Sequence, residues 1–132
     1  MRPRFLADTH IVIRWLTEAR RLSRDQFRIF KEADRRGELI GISPVSLLEI
    51  VALTGSRRLA LPTRAFLEDL EANPLFQLLP ITYEVAFEIS ALFHPFGDPF
   101  DRAIVATARV HGLRLITSDE AIIHSKLVAT VE

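Results

Sequence analysis

Asp98-Pro99-Phe100-Asp101-Arg102-Ala103-Ile104-Val105-Ala106-Thr107-Ala108-Arg109-Val110-His111-Gly112-Leu113-Arg114-Leu115-Ile116-Thr117-Ser118-Asp119 is the stretch that decides the fold. An aspartate ahead of a proline is a helix N-cap with a first-turn proline, and Gly112 is suited to the left-handed C-cap. The spacing therefore predicts a helix from residue 98 to His111. Residues 113–117 follow as a short apolar run with the composition of a buried strand. A helix followed at once by a buried strand that ends in an acid is the unit of a parallel α/β sheet.

The same alternation extends outward in both directions. Residues 4–8 form a short strand closed by Asp8. Residues 9–16 then carry Ile11, Val12, Trp15 and Leu16 at helical spacing. Ser23 and Gln26 have the form of a capping box, opening a helix that ends near Gly37. Residues 39–42 are a second strand. Ser43-Pro44 starts a helix carrying Leu47, Leu48, Ile50, Val51 and Leu53, with Gly55 at its end. A helix from Leu61-Pro62 to about Ala72 and a strand within 75–81 come next. A helix capped by Thr82 runs to about Phe93, followed by a loop at His94-Pro95-Phe96-Gly97. Residues 127–131 supply a fifth strand. An α/β sandwich with a largely parallel sheet is expected, as one domain over residues 1–132, without internal repeats.

The chain has 132 residues, 48% of them hydrophobic and 26% charged, so it has ample apolar surface for a core and is not a disordered segment. Its longest stretch without Asp, Glu, Lys or Arg is 72–83, interrupted by two prolines, which excludes a membrane-spanning helix. No cysteine is present, which excludes disulfides, thiolate catalysis and cysteine-bound zinc and fits a reducing cytoplasm. The 17 basic and 17 acidic residues cancel overall, but residues 1–64 carry +6 and residues 65–132 carry −6. Fifteen of the cations are arginine, the side chain best matched to phosphate; most are read as solvated helix faces.

Four acids stand out by position. Asp8 and Asp119 follow strands and so reach the carboxyl edge of the sheet, where ligands bind in such folds. Asp101 lies in the first turn of its helix. Glu49 sits among Leu47, Leu48, Ile50 and Val51, in a helix whose few polar residues include Ser46 and Thr54. A carboxylate in that setting is costly unless paired, protonated or metal-bound, which favours a functional reading over a solvent-facing one. Carboxylates brought together repel one another, and a divalent cation removes the conflict. All-oxygen ligands suit Mg²⁺ or Mn²⁺, whose common chemistry is phosphodiester hydrolysis. Asp98 is read as the helix cap, with a metal-bound water as its other possible contact.

Phe5-Leu6-Ala7-Asp8-Thr9-His10, Ser43-Pro44-Val45-Ser46-Leu47-Leu48-Glu49-Ile50, Asp98-Pro99-Phe100-Asp101-Arg102-Ala103-Ile104-Val105-Ala106 and Leu115-Ile116-Thr117-Ser118-Asp119 occur in this order. In order and spacing the chain resembles a PIN-domain protein, specifically a VapC-type toxin ribonuclease, from about residue 4 to the end. The resemblance implies a three-layer α/β/α sandwich with a short, largely parallel central sheet. It implies a Mg²⁺- or Mn²⁺-dependent endoribonuclease with Asp8, Glu49, Asp101 and Asp119 as its acidic site and Thr9 and Thr117 as supporting hydroxyls. It also implies an RNA substrate, a cognate antitoxin protein and a homodimer. Ser118 and Gly97 stand where many relatives carry arginine.

Among the other candidates, His10 is read as a structural histidine near the site, and His94, His111 and His124 lack zinc-motif spacing. Arg102 and Arg14 are the arginines expected to meet RNA. Arg14 belongs to a cluster with Arg20, Arg21, Arg24 and Arg28. Trp15, Phe27 and Phe30 are expected to line a groove for an amphipathic antitoxin helix. The alternative to a nuclease is a catalytically idle PIN-like module that binds RNA or protein.

Overall fold

A computed structural model of the chain describes residues 2–92 and 98–132. The expected loop at His94-Pro95-Phe96-Gly97, and with it Phe93, lies outside the described residues. The strands are β1 (Phe5–Ala7), β2 (Ile40–Ile42), β3 (Phe76–Leu78), β4 (Arg114–Ile116) and β5 (Thr130–Val131). The helices are α1 (Thr9–Thr17), α2 (Arg24–Arg36), α3 (Pro44–Gly55), α4 (Thr63–Ala72), α5 (Tyr83–Ala91), α6 (Pro99–His111) and α7 (Glu120–Ser125). One 3-10 turn, Ala19–Arg21, joins α1 to α2.

All strand pairings are parallel, in the order β3-β2-β1-β4-β5. Register places Leu6 beside Gly41 on one side and Leu115 on the other. Side chains alternate across the strands, and this splits the core into two. Leu6 and Leu115 join Val85, Ile104, Val105 and Ala108. Their neighbours Ala7 and Ile116 face the opposite way, joining Ile11, Val12, Phe30, Ile50 and Phe66. Helices thus cover both faces of the sheet, giving the α/β/α sandwich. Among the described residues no helix is long and apolar enough to cross a membrane.

Local chemistry explains the helix ends. Ser23 accepts from the Gln26 amide while the Gln26 side chain accepts from the Ser23 amide, a complete capping box. Ser43 and Asp98 accept from Val45 and Phe100, each ahead of a first-turn proline. Gly37 and Gly112 close α2 and α6 at φ of 66° and 65°, where a Cβ would be strained. Residues 120–125, which carried no expected element, form α7, with Asp119 as its cap. That short helix lacks a proline or a long apolar period to announce it.

The face of α3 is set by the fold alone, and the expected aromatic groove requires correction. In α3, the polar residues Ser46 and Thr54 are buried, whereas Leu48 and Val51 are 59% and 46% exposed. A helix apolar on nearly every side leaves its orientation to its neighbours. In the N-terminal aromatic group, Phe30 is fully buried, stacked on Trp15 at 4.9 Å and near Phe76 at 6.2 Å. These rings are core, with only Phe27 substantially exposed. The nearby apolar recess is instead a cavity of about 700 Å³ lined by Ile42, Leu47, Leu67, Leu70, Phe76 and Leu78, between α4 and the β3 edge.

Candidate active site

Asp8 follows β1 directly and caps α1, and it is almost wholly buried. Its two oxygens are committed to different partners. Oδ1 accepts from the Thr9 amide at 2.8 Å and Oδ2 from the Thr117 hydroxyl at 2.7 Å. Thr117 directly follows the adjacent strand, so parallel pairing of β1 with β4 brings together residues 109 positions apart. The Thr117 oxygen also accepts from the Asp119 amide at 3.0 Å. Asp119 caps α7 by accepting from the Ile122 amide at 3.1 Å.

Glu49 arrives from α3. The Thr9 hydroxyl donates to its Oε1 at 2.6 Å and lies 2.8 Å from the Ser46 hydroxyl. Ser46 is fully buried in the site, a role that the sequence reading did not give it. The available signal was its position three residues before Glu49, which puts both on one helix face. Burial raises the Glu49 carboxyl above its ordinary range; the Thr9 hydroxyl opposes this, and the charges of Asp8 and Asp98 add to it.

Asp101 projects from the first turn of α6. Burial, then the charges of Asp98, Asp8, Asp119 and Glu49 in that order, push its carboxyl up to about 7. Five acids therefore share one electrostatic environment at the carboxyl edge of the sheet. Asp98 itself is exposed and spends one oxygen on the Phe100 amide at 2.8 Å, as a cap should.

Among the described residues, no three acids or histidines are gathered into a ready-made ligand cage. The group nevertheless fits a hard divalent cation. Its donors are carboxylate and hydroxyl oxygens, and its carboxylates perturb one another when no cation offsets their charge. Mg²⁺ retains several waters and takes only one or two direct carboxylates, so an open arrangement suits it better than a closed cage.

His10 sits on the first turn of α1. Its Nε2 accepts from the Ser118 amide at 2.9 Å, and its Nδ1 lies 3.6 Å from Asp8 Oδ2. Burial lowers its pKa, Asp8 opposes this, Arg14 lowers it further and Asp119 raises it. Arg14 reaches the Ser118 hydroxyl at 3.3 Å, beside the acids. Arg102 has its guanidinium on the Leu92 carbonyl at 3.5 Å, on the α5 side, and its Nε has no partner among the described residues. Arg20, Arg21 and Arg28 are paired with Glu18 or Asp25 on their own stretch of chain.

The PIN-domain family model matches residues 5–126. The chain is 35% identical over 117 residues to Ribonuclease VapC22 of Mycobacterium tuberculosis, covering 86% of this chain and 85% of that one. Its fold resembles VapBC2 from Rickettsia felis, solved bound to a promoter DNA fragment, with a TM-score of 0.73, 12% identity and 96% of both chains covered. It also resembles a toxin–antitoxin complex from Klebsiella pneumoniae, with a TM-score of 0.64, 22% identity and coverage of 96% of this chain and 95% of that one.

Proposed function

The chain belongs to the PIN-domain family, among its VapC-type members, and we propose that it is a metal-dependent endoribonuclease, the toxin of a toxin–antitoxin pair working in the cytoplasm. The observation that carries this reading is the meeting of Asp8, Glu49 and Asp119 through the Thr9 and Thr117 hydroxyls, beside an Asp101 carboxyl raised by burial and by four neighbouring acids. Such mutual perturbation has a physical use if a cation takes up the charge.

Asp8, Glu49, Asp101 and Asp119 would hold Mg²⁺ or Mn²⁺, with Asp98 acting through water. When bound, the ion supplies a water of lowered pKa and neutralises charge on the leaving oxygen of a phosphodiester. The protein's own part is orientation. The Thr117 and Thr9 hydroxyls aim the carboxylates of Asp8 and Glu49, and Ser46 packs beside Thr9 to hold that rotamer. Arg14, at the rim through Ser118, is placed to meet an RNA phosphate. Arg102 could do so only by releasing the Leu92 carbonyl.

The antitoxin partner is supported by resemblance to the Klebsiella pneumoniae complex, and the recess between α4 and β3 is the apolar surface that suits a helix from it. A homodimer is supported by another surface. Leu48 and Val51 on α3, Tyr83 and Phe87 on α5 and Phe100 on α6 are all exposed, and α6 packs against both other helices.

Incubating the protein with structured RNA in Mg²⁺, Mn²⁺ and excess EDTA tests the reading. Cleavage is expected with either metal and none with EDTA. Cleavage that persists in EDTA would overturn the metal mechanism, and metal binding without cleavage would favour the idle-module alternative. Co-purification with the product of the adjacent reading frame tests the antitoxin assignment.

A further inference from the structure

We propose that His10 and Gln26 are positioning residues that clamp one peptide unit, Thr117–Ser118, from both ends and thereby aim the carboxylates of Asp119 and Asp8. The carbonyl of that peptide accepts from Gln26 Nε2 at 3.2 Å, and its N–H donates to His10 Nε2 at 2.9 Å. The C=O and N–H of a planar trans peptide point in opposite directions. One bond therefore comes from α2 and the other from α1, and rotating the peptide plane breaks both.

What the peptide carries is the site. On its N-terminal side, the Thr117 hydroxyl donates to Asp8 and accepts from the Asp119 amide. On its C-terminal side, Asp119 opens α7. A turn of the peptide would move Asp119 directly and would disturb the Thr117 hydroxyl that orients Asp8.

Gln26 is not explained by its cap alone. It is fully buried, and its Oε1 is taken by the Ser23 amide at 3.0 Å. Its Nε2 reaches three acceptors: the carbonyls of Thr117 and Val131, both at 3.2 Å, and the Ser118 hydroxyl at 3.3 Å. Glutamate would serve a capping box equally well. Here it would turn an acceptor-only group towards two buried carbonyls. The amide is required by the clamp, not by the helix.

The effect on metal binding rests on the nuclease reading; the clamp does not. The test uses the whole chain with His10→Leu, His10→Gln and Gln26→Glu. Three quantities are read: amide hydrogen exchange at Ser118, Mn²⁺ affinity by calorimetry with the metal alone, and kcat and KM on RNA. His10→Leu and Gln26→Glu are expected to speed Ser118 exchange and to weaken Mn²⁺ binding by about tenfold or more, the usual scale for supporting groups of a metal site. In both, kcat should fall with KM little changed. His10→Gln, which returns an acceptor at similar reach, should recover most of the Mn²⁺ affinity. Unchanged Ser118 exchange and Mn²⁺ affinity in folded His10→Leu would overturn the proposal. Should Gln26→Glu not fold, the His10 pair decides alone. If the wild type neither binds Mn²⁺ nor cleaves RNA, the nuclease reading fails, and Ser118 exchange still decides whether the clamp exists.

Discussion

Thr9 and Glu49 are forty residues apart in the chain and 2.6 Å apart across the site, hydroxyl to carboxylate. This bond ties the helix that follows the first strand to the helix that follows the second. It also lowers the Glu49 pKa against the rise imposed by burial. Thr9→Val keeps the shape and removes the donor. The Glu49 pKa should rise further, and stability should fall by about 1 kcal/mol, the usual net worth of such a bond. Carboxyl carbon shifts followed by NMR across pH check the first, and urea melts check the second. On RNA, the acid limb of the pH–rate curve should move to higher pH.

Asp101 makes a prediction with a definite sign. Its carboxyl lies near 7 in the folded protein against an ordinary value of 3.8. The fold therefore favours the protonated form. The resulting stabilisation is full below about pH 4 and is lost as pH rises through 7. Asp101→Asn escapes that loss, so without metal it should melt above the wild type at pH 8, with the gap closing towards pH 4. The wild type should cleave RNA and melt higher with Mn²⁺, and Asp101→Asn should lose both effects. Paired melting curves at the two pH values, with and without Mn²⁺, measure both effects.

Asp98 stands three residues earlier and should behave differently. Its oxygen caps α6 through the Phe100 amide. Asp98→Ala should cost about 1 kcal/mol, as lost caps do, and leave most of the cleavage rate. Because Asp98 exerts the largest charge effect on Asp101, second only to burial, the same variant should lower the Asp101 pKa. A dead Asp98→Ala beside an active Asp101→Asn would reverse these assignments.

Assembly is tested on the apolar face. Tyr83 and Phe87 are 85% and 71% exposed and stack on each other at 6.5 Å. In sedimentation equilibrium the wild type should be a dimer, and Leu48→Glu combined with Phe87→Glu should give a monomer. The fold should persist, because neither side chain is part of either core.

Apart from α7, the helices announced themselves through short-range chemistry. Ser23 with Gln26, Ser43 with Pro44, Asp98 with Pro99, and the glycines at 37 and 112 each act within a few residues, so their meaning is present in the sequence as written. The acids at strand ends were legible for the same reason: a strand–acid–helix order places Asp8 and Asp119 at one edge of a parallel sheet whatever the details of packing. Other features depended on residues far away in the chain. The buried face of α3 was not legible, because a helix apolar nearly all round carries no period to orient it; contact with Thr9 and the sheet turned Ser46 inward and left Leu48 outside. Phe30 became core because Trp15 and Phe76 closed over it. Gln26 read as a cap and nothing more, since its other partners, Thr117 and Val131, lie 91 and 105 residues away. Local backbone preferences are set by neighbours in sequence, whereas the direction of a buried polar group is set by whichever donors and acceptors the folded chain brings to it, and those exist only in the tertiary structure.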